Sequence, residues 1–146
     1  DISMTRFALT AITLATALIL PLAVTAQTAG LLSRENRVEL PPLTLASGSA
    51  VAAAPLVLKS GTYYILQIES DGSAELALEG SGFFRAVWVN EIVINDIEIR
   101  PLGIDSLEFD DEGKAEISFI AIKPGSYELR VPGSSGDSQR VGITIE

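Results

Sequence analysis

Two kinds of hydrophobic pattern divide this chain. The first is an uncharged run, 7–26 (FALTAITLATALILPLAVTA), which opens on Phe7 and closes on Ala26. As a helix at about 1.5 Å per residue, its 20 residues match the roughly 30 Å hydrocarbon core of a bilayer. The second pattern is a period-two alternation that predicts β-strands. Tyr64, Leu66 and Ile68 alternate with Ile65 and Gln67, and Leu76 and Leu78 with Glu75 and Glu79. Ile97 and Ile99 flank Glu98, and Leu107 and Phe109 flank Glu108. Ile117, Phe119 and Ala121 share one face of a strand, with Glu116, Ser118, Ile120 and Ile122 on the other. Tyr127, Leu129 and Val131 alternate, as do Val141, Ile143 and Ile145.

Turn signals separate these runs. Asp71-Gly72 and Asp110-Asp111-Glu112-Gly113 read as hairpin-type turns, and Lys123-Pro124-Gly125 as a further turn. Strands at such spacing predict a β-sandwich or barrel over residues 55–146, enough chain for one core. Residues 28–54, rich in Ala, Ser and Pro, read as an extended tether. Val38, Leu40, Leu43 and Leu45 are the alternative there, an edge strand, because Pro41-Pro42 excludes a central one. Segment 83–94 (FFRAVWVNEIVI) fits either period. The expectation is a helical turn near residues 84–88, then a strand at residues 92–94. Phe83, Phe84 and Trp88 either plug one end of the core or form an aromatic interface patch. Lys59-Ser60-Gly61-Thr62-Tyr63 is echoed by Lys123-Pro124-Gly125-Ser126-Tyr127, a repeat of turn chemistry rather than of a domain.

Val24-Thr25-Ala26 ends the apolar run as a signal-peptidase site does, yet the run is longer than an ordinary secretory core. The expected organisation is a signal-anchor helix over 1–27, with Met4 a candidate initiator, then the tether and the β-domain. The expected location is a bacterial inner membrane, single-pass through residues 7–26, with the β-domain periplasmic. Cleavage after Ala26 and release into the periplasm is the alternative.

Charge and missing residue types narrow the chemistry. The sequence has 19 acidic and 10 basic residues, a net charge of −9, which argues against nucleic acid. On net charge alone, an anionic membrane surface repels such a domain. The absence of Cys and His removes disulfides, thiolates and the commonest metal ligand and general base. No Gly-x-Ser-x-Gly elbow occurs. The remaining candidate chemistry is carboxylate: Asp105, Glu108, Asp110, Asp111 and Glu112 could offer oxygen ligands to a hard cation. Their spacing is not that of a dedicated calcium loop, and a solvated acidic turn is the plainer reading.

Segment 117–133 (ISFIAIKPGSYELRVPG) resembles the last ligand loop of cupredoxins, Cys-x-x-Pro-Gly-His-x-x-x-Met between two strands. Pro124-Gly125 align and Phe119 sits where that family often has an aromatic. Ala121, Ser126 and Arg130 stand at the Cys, His and Met positions. Residues 55–146 are broadly similar to the cupredoxin-like domain of periplasmic iron-uptake proteins of the EfeO type. The resemblance implies an all-β, Greek-key cupredoxin-like sandwich without a blue-copper site, and no cofactor is expected. The expected function is non-catalytic: an anchored accessory subunit docked on integral membrane protein subunits. An energy-converting assembly, photosynthetic or respiratory, is the leading candidate partner. The rival is a periplasmic metal-handling protein that binds iron or another hard cation through carboxylates.

Overall fold

A computed structural model describes residues 30–146. The expected anchor, residues 7–26, lies outside them. Among the described residues no helix is long and apolar enough to cross a membrane.

Two sheets face each other across one core. The first holds β1 (Arg37–Glu39), β4 (Tyr63–Asp71), β9 (Glu112–Ala121), β6 (Val87–Ile94) and β7 (Ile97–Ile99) in that order, and β2 (Leu43–Leu45) also pairs with β4. The second runs β3 (Leu56–Leu58), β11 (Arg140–Ile145), β10 (Gly125–Arg130), β5 (Leu76–Glu79) and β8 (Ser106–Phe109). The alternation read from the sequence sets the inner faces. In β11, Val141, Ile143 and Ile145 are buried and their neighbours exposed. Tyr64, Leu66 and Ile68 of β4 meet Ile117 and Phe119 of β9 in the same core.

The stretch read as a tether belongs to the sandwich from residue 37 onward. Both β1 and β2 pair parallel with β4, at Tyr63–Ile65 and Ile68–Ser70 respectively. Pro41 and Pro42 fall between them, where two missing N–H groups interrupt the ladder without cost to a buried strand. Leu43 and Leu45 are almost fully buried. The loop that follows is tied down as well: Val51 is buried, accepts from Thr44 N and donates to Ser138 O. The domain therefore begins well before residue 55.

Several turn signals change the sheet instead of making a hairpin. Asp71-Gly72 leads from β4 to β5 and Asp110-Asp111 from β8 to β9, each crossing between the sheets. These two corners pack together: a Cβ on Gly72 (φ 70°) would meet Asp111 Oδ1 and Glu112 N, both at 2.8 Å. Among the described residues, consecutive strands pair only at β6/β7 and β10/β11. The β6/β7 hairpin turns on Asn95 and Asp96, both at positive φ (48° and 63°), as a tight two-residue turn requires.

The helical turn α1 (Ser81–Phe84) comes one turn earlier than expected, and β6 starts already at Val87. Gly80 O accepts from Phe84 N at 2.9 Å, closing the turn. Pairing of Val87 and Trp88 with Ala121 and Ile120 then commits the segment to a strand.

Candidate functional site

The aromatic candidates are divided by the fold. Phe83 and Phe84 are buried, with ring centroids 5.5 Å apart. Phe83 meets Phe119 edge-on at 5.4 Å, and Phe119 lies 5.8 Å from Tyr64. This group closes one end of the core and offers no surface to a partner. Trp88 is 50 % exposed. It points from the outer face of the first sheet because β6 alternates and Val89 takes the inner side. Its cross-strand neighbour Ile120 is buried between Trp88 and Tyr63. Beside them Asn90 donates to Ser118 Oγ (3.2 Å) and Tyr63 Oη (3.4 Å). Of the three proposed interface aromatics, only Trp88 is available for contact.

The five carboxylate candidates do not form one cluster. Glu108 and Asp110 come together, and the third member is Glu75, with carboxylate oxygens within 4.8 Å of one another and all three residues exposed. Pairing of β5 with β8 brings Glu75 close, at Leu76↔Phe109 and Ala77↔Glu108. A carboxyl–carboxyl hydrogen bond with Glu75 and that group's charge push the Glu108 carboxyl above the usual range. Asp111 instead accepts from Glu112 N at 2.8 Å. Glu112 is paired with Asp71 across β4 and β9. Asp105 lies beyond the far end of β8, where its carbonyl accepts from Gly80 N at 3.0 Å. Glu75 was not legible as a site residue, because its partners are distant in sequence and join it only through the β5/β8 ladder.

The stretch that resembles a copper loop lies at the same end as the aromatic plug. Ala121 is fully buried at the end of β9, Ser126 is exposed on β10, and Arg130 forms an ion pair with Glu128 at 3.0 Å. Among the described residues the buried polar groups are the Ser70 and Ser118 hydroxyls and the Tyr64 phenol, whose Oη accepts from Lys59 N at 2.7 Å, so no carboxylate or cationic side chain is held inside the sandwich.

One flank remains uncovered. The outermost strands β7 and β8 leave both sheet edges open there. Ile97 (63 % exposed), Ile99 (43 %) and the fully exposed Leu102 form an apolar edge. Arg100 sits among them, paired at 3.1 Å with both Glu91 and Glu98. The sequence alternation placed Ile97 and Ile99 on one strand face; that no opposing strand covers this face is a property of the tertiary fold.

No protein-family model and no curated protein matches the chain. Solved structures do. A multicopper oxidase from Pseudomonas thermotolerans superposes with a TM-score of 0.56 at 14% identity, over 77% of this chain and 30% of that one. A laccase from Pediococcus acidilactici gives 0.57 at 10% identity, over 80% and 28%. A copper nitrite reductase from Nitrosomonas europaea gives 0.51 at 14%, over 65% and 33%. The described domain thus has a cupredoxin-like fold and spans about a third of the length of these proteins. Identity this low carries the fold and nothing of the activity.

Proposed function

We propose that this protein is a non-catalytic accessory subunit, held to the membrane by residues 7–26, whose cupredoxin-like domain docks on a larger membrane complex. The observation that carries the reading is the open apolar edge at Ile97, Ile99 and Leu102. Apolar side chains beside unpaired strand backbone suit a protein partner, which can bury the one and pair with the other. The filled core supports a non-catalytic role: Ala121 and the Phe83–Phe119 pair occupy the end of the sandwich where the resembled loop would hold a metal. An energy-converting assembly is the narrower candidate for the partner. Purification of the native chain in mild detergent tests this. Co-purifying integral membrane subunits in fixed ratio are expected, with residues 7–26 retained in the intact mass. A chain that purifies alone, with its N-terminus at Gln27, refutes it.

The grouping of Glu75, Glu108 and Asp110 favours a second reading, hard-cation handling, towards which the iron-uptake likeness also leans. Three exposed carboxylates without a surrounding cage make a weak site, so Ca²⁺ association in the millimolar range is expected by calorimetry. Submicromolar binding that is lost on Glu108→Gln moves the function to metal handling.

A further inference from the structure

The cations of this domain that lack an ion pair gather at one end. Nine Lys and Arg side chains lie among the described residues. Arg37, Arg100, Lys114, Arg130 and Arg140 form ion pairs. Arg34, Lys59, Arg85 and Lys123 form none with any described residue, and all four are exposed.

Those four cations sit at the same end of the sandwich. The loops that carry them are joined by hydrogen bonds: Ser60 Oγ donates to Ile122 O (2.7 Å), Lys123 N to Ala86 O (2.9 Å), and Asn36 Nδ2 to Gly61 O (2.9 Å). The echoed turns at Lys59-Ser60-Gly61 and Lys123-Pro124-Gly125 are neighbours here, which brings two lysines distant in sequence to the same end. Trp88, Ile122, Leu31 and Leu32 add exposed apolar side chains to this end. Glu35, Glu39 and Glu146 share it, Glu39 already paired with Arg37, and Asp105 lies on the flank beside Arg85.

The acidic corner Asp110–Glu112 is at the opposite end. Glu112 and Ala121 are the two ends of the ten-residue β9, about 30 Å apart at 3.3 Å per residue step. The Debye length in 0.1 M salt is about 10 Å, so a surface against the basic end is largely screened from that corner. Net charge, from which repulsion by an anionic surface was expected, is therefore a poor guide to what this end encounters.

We infer that the end bearing Lys59, Arg85, Lys123 and Trp88 seats on a bilayer surface rich in anionic lipid. The chain itself points to that occupant. Gly30 belongs to this end, because Asn36 Nδ2 also donates to Leu31 O and ties the first described residues down. The uncharged run closes at Ala26, four residues earlier, at most about 14 Å of extended chain. The orientation rests on the anchor reading, and it turns the β7 edge sideways, towards a partner in the same membrane. Unpaired cations meet anionic headgroups, and a half-exposed tryptophan suits the interfacial layer.

Trp88 is the sole tryptophan and reports on its own surroundings. The full chain is reconstituted in phosphatidylcholine vesicles with and without phosphatidylglycerol, with lipids brominated near the headgroup as quenchers. Quenching of Trp88 is expected in the anionic vesicles and not in the neutral ones, with loss at high salt. Each cation near such a surface favours docking about 5-fold, so Lys59→Gln, Arg85→Gln and Lys123→Gln together shift docking roughly 100-fold, down to the neutral-vesicle signal. Quenching that is absent, or equal in both vesicles, overturns the inference while a chain that floats after a carbonate wash keeps its anchor. Flotation only with anionic vesicles, reversed by salt, upholds the inference and refutes the anchor. Flotation with neither refutes both.

Discussion

Replacing Phe83 by Ala and, separately, Trp88 by Ala separates core from surface within one aromatic group. Phe83 is 1 % exposed and packs edge-on against the equally buried Phe119. Truncation removes a buried ring and leaves a cavity, at about 3–5 kcal/mol. A domain of this size has about 5–15 kcal/mol in all, so much of its stability goes with that ring. At about 3–5 °C per kcal/mol, its Tm falls by roughly 10–25 °C. Trp88 has half of its surface in water. The lost area, about 100 Å² at 25 cal/mol/Å², is worth at most about 2 kcal/mol after allowance for the retained Cβ. Its Tm should fall by at most about 6–10 °C. Thermal melts of both variants in mild detergent, followed by far-ultraviolet circular dichroism, make the comparison. If Trp88→Ala costs as much stability as Phe83→Ala, the division into plug and surface is wrong.

Gly80→Ala should destabilise by about 1–3 kcal/mol, because the new Cβ meets the buried Leu129 Cδ2 and lies 2.8 Å from the Glu128 carbonyl, which is β10 backbone and cannot yield. Gly142→Ala, with nothing within 4 Å, is the control and should stay within a few tenths of a kcal/mol in the same melts. The Glu108 carboxyl should titrate above the ordinary carboxylate range by ¹³C NMR and return towards it in Glu75→Gln; no change there contradicts the pairing. Its raised value means that the folded chain holds more protons than the unfolded chain, so this group's contribution to stability falls as pH rises from the unfolded carboxylate pKa through the folded one. Glu128 has the opposite sign: hydrogen bonds from Arg130 and Arg140 lower its pKa, and its contribution is lost as pH falls through the folded value.

The sequence made the long strands legible and hid how they are assembled. β11 alternates over all six of its residues and β4 from Leu66 to Asp71, a signal that does not depend on neighbours. β1 and β2 have three residues each and a proline pair between them, so composition favoured a tether. Only burial of Leu43 and Leu45 against the core shows otherwise. Asp71-Gly72 and Asp110–Gly113 carry real turn chemistry, but that chemistry specifies a reversal and not which sheet receives the chain. Among the described residues, Asn95-Asp96 makes the one tight hairpin, without the glycine that usually marks it. The carboxylate group was half visible, since Glu108 and Asp110 are neighbours on one strand while Glu75 arrives by pairing. The segregation of cations was not legible at all, because ion pairing and proximity across loops are tertiary facts.

The docking of the open edge on a membrane complex is tested most directly by Ile97→Lys and Ile99→Lys introduced together. Both side chains are exposed on a three-residue outer strand, so the fold should be kept and the melt should move little. Expected is a chain that still fractionates with membranes and no longer carries the partner subunits through mild-detergent purification. Partner subunits retained at full stoichiometry by that variant would contradict docking through this edge.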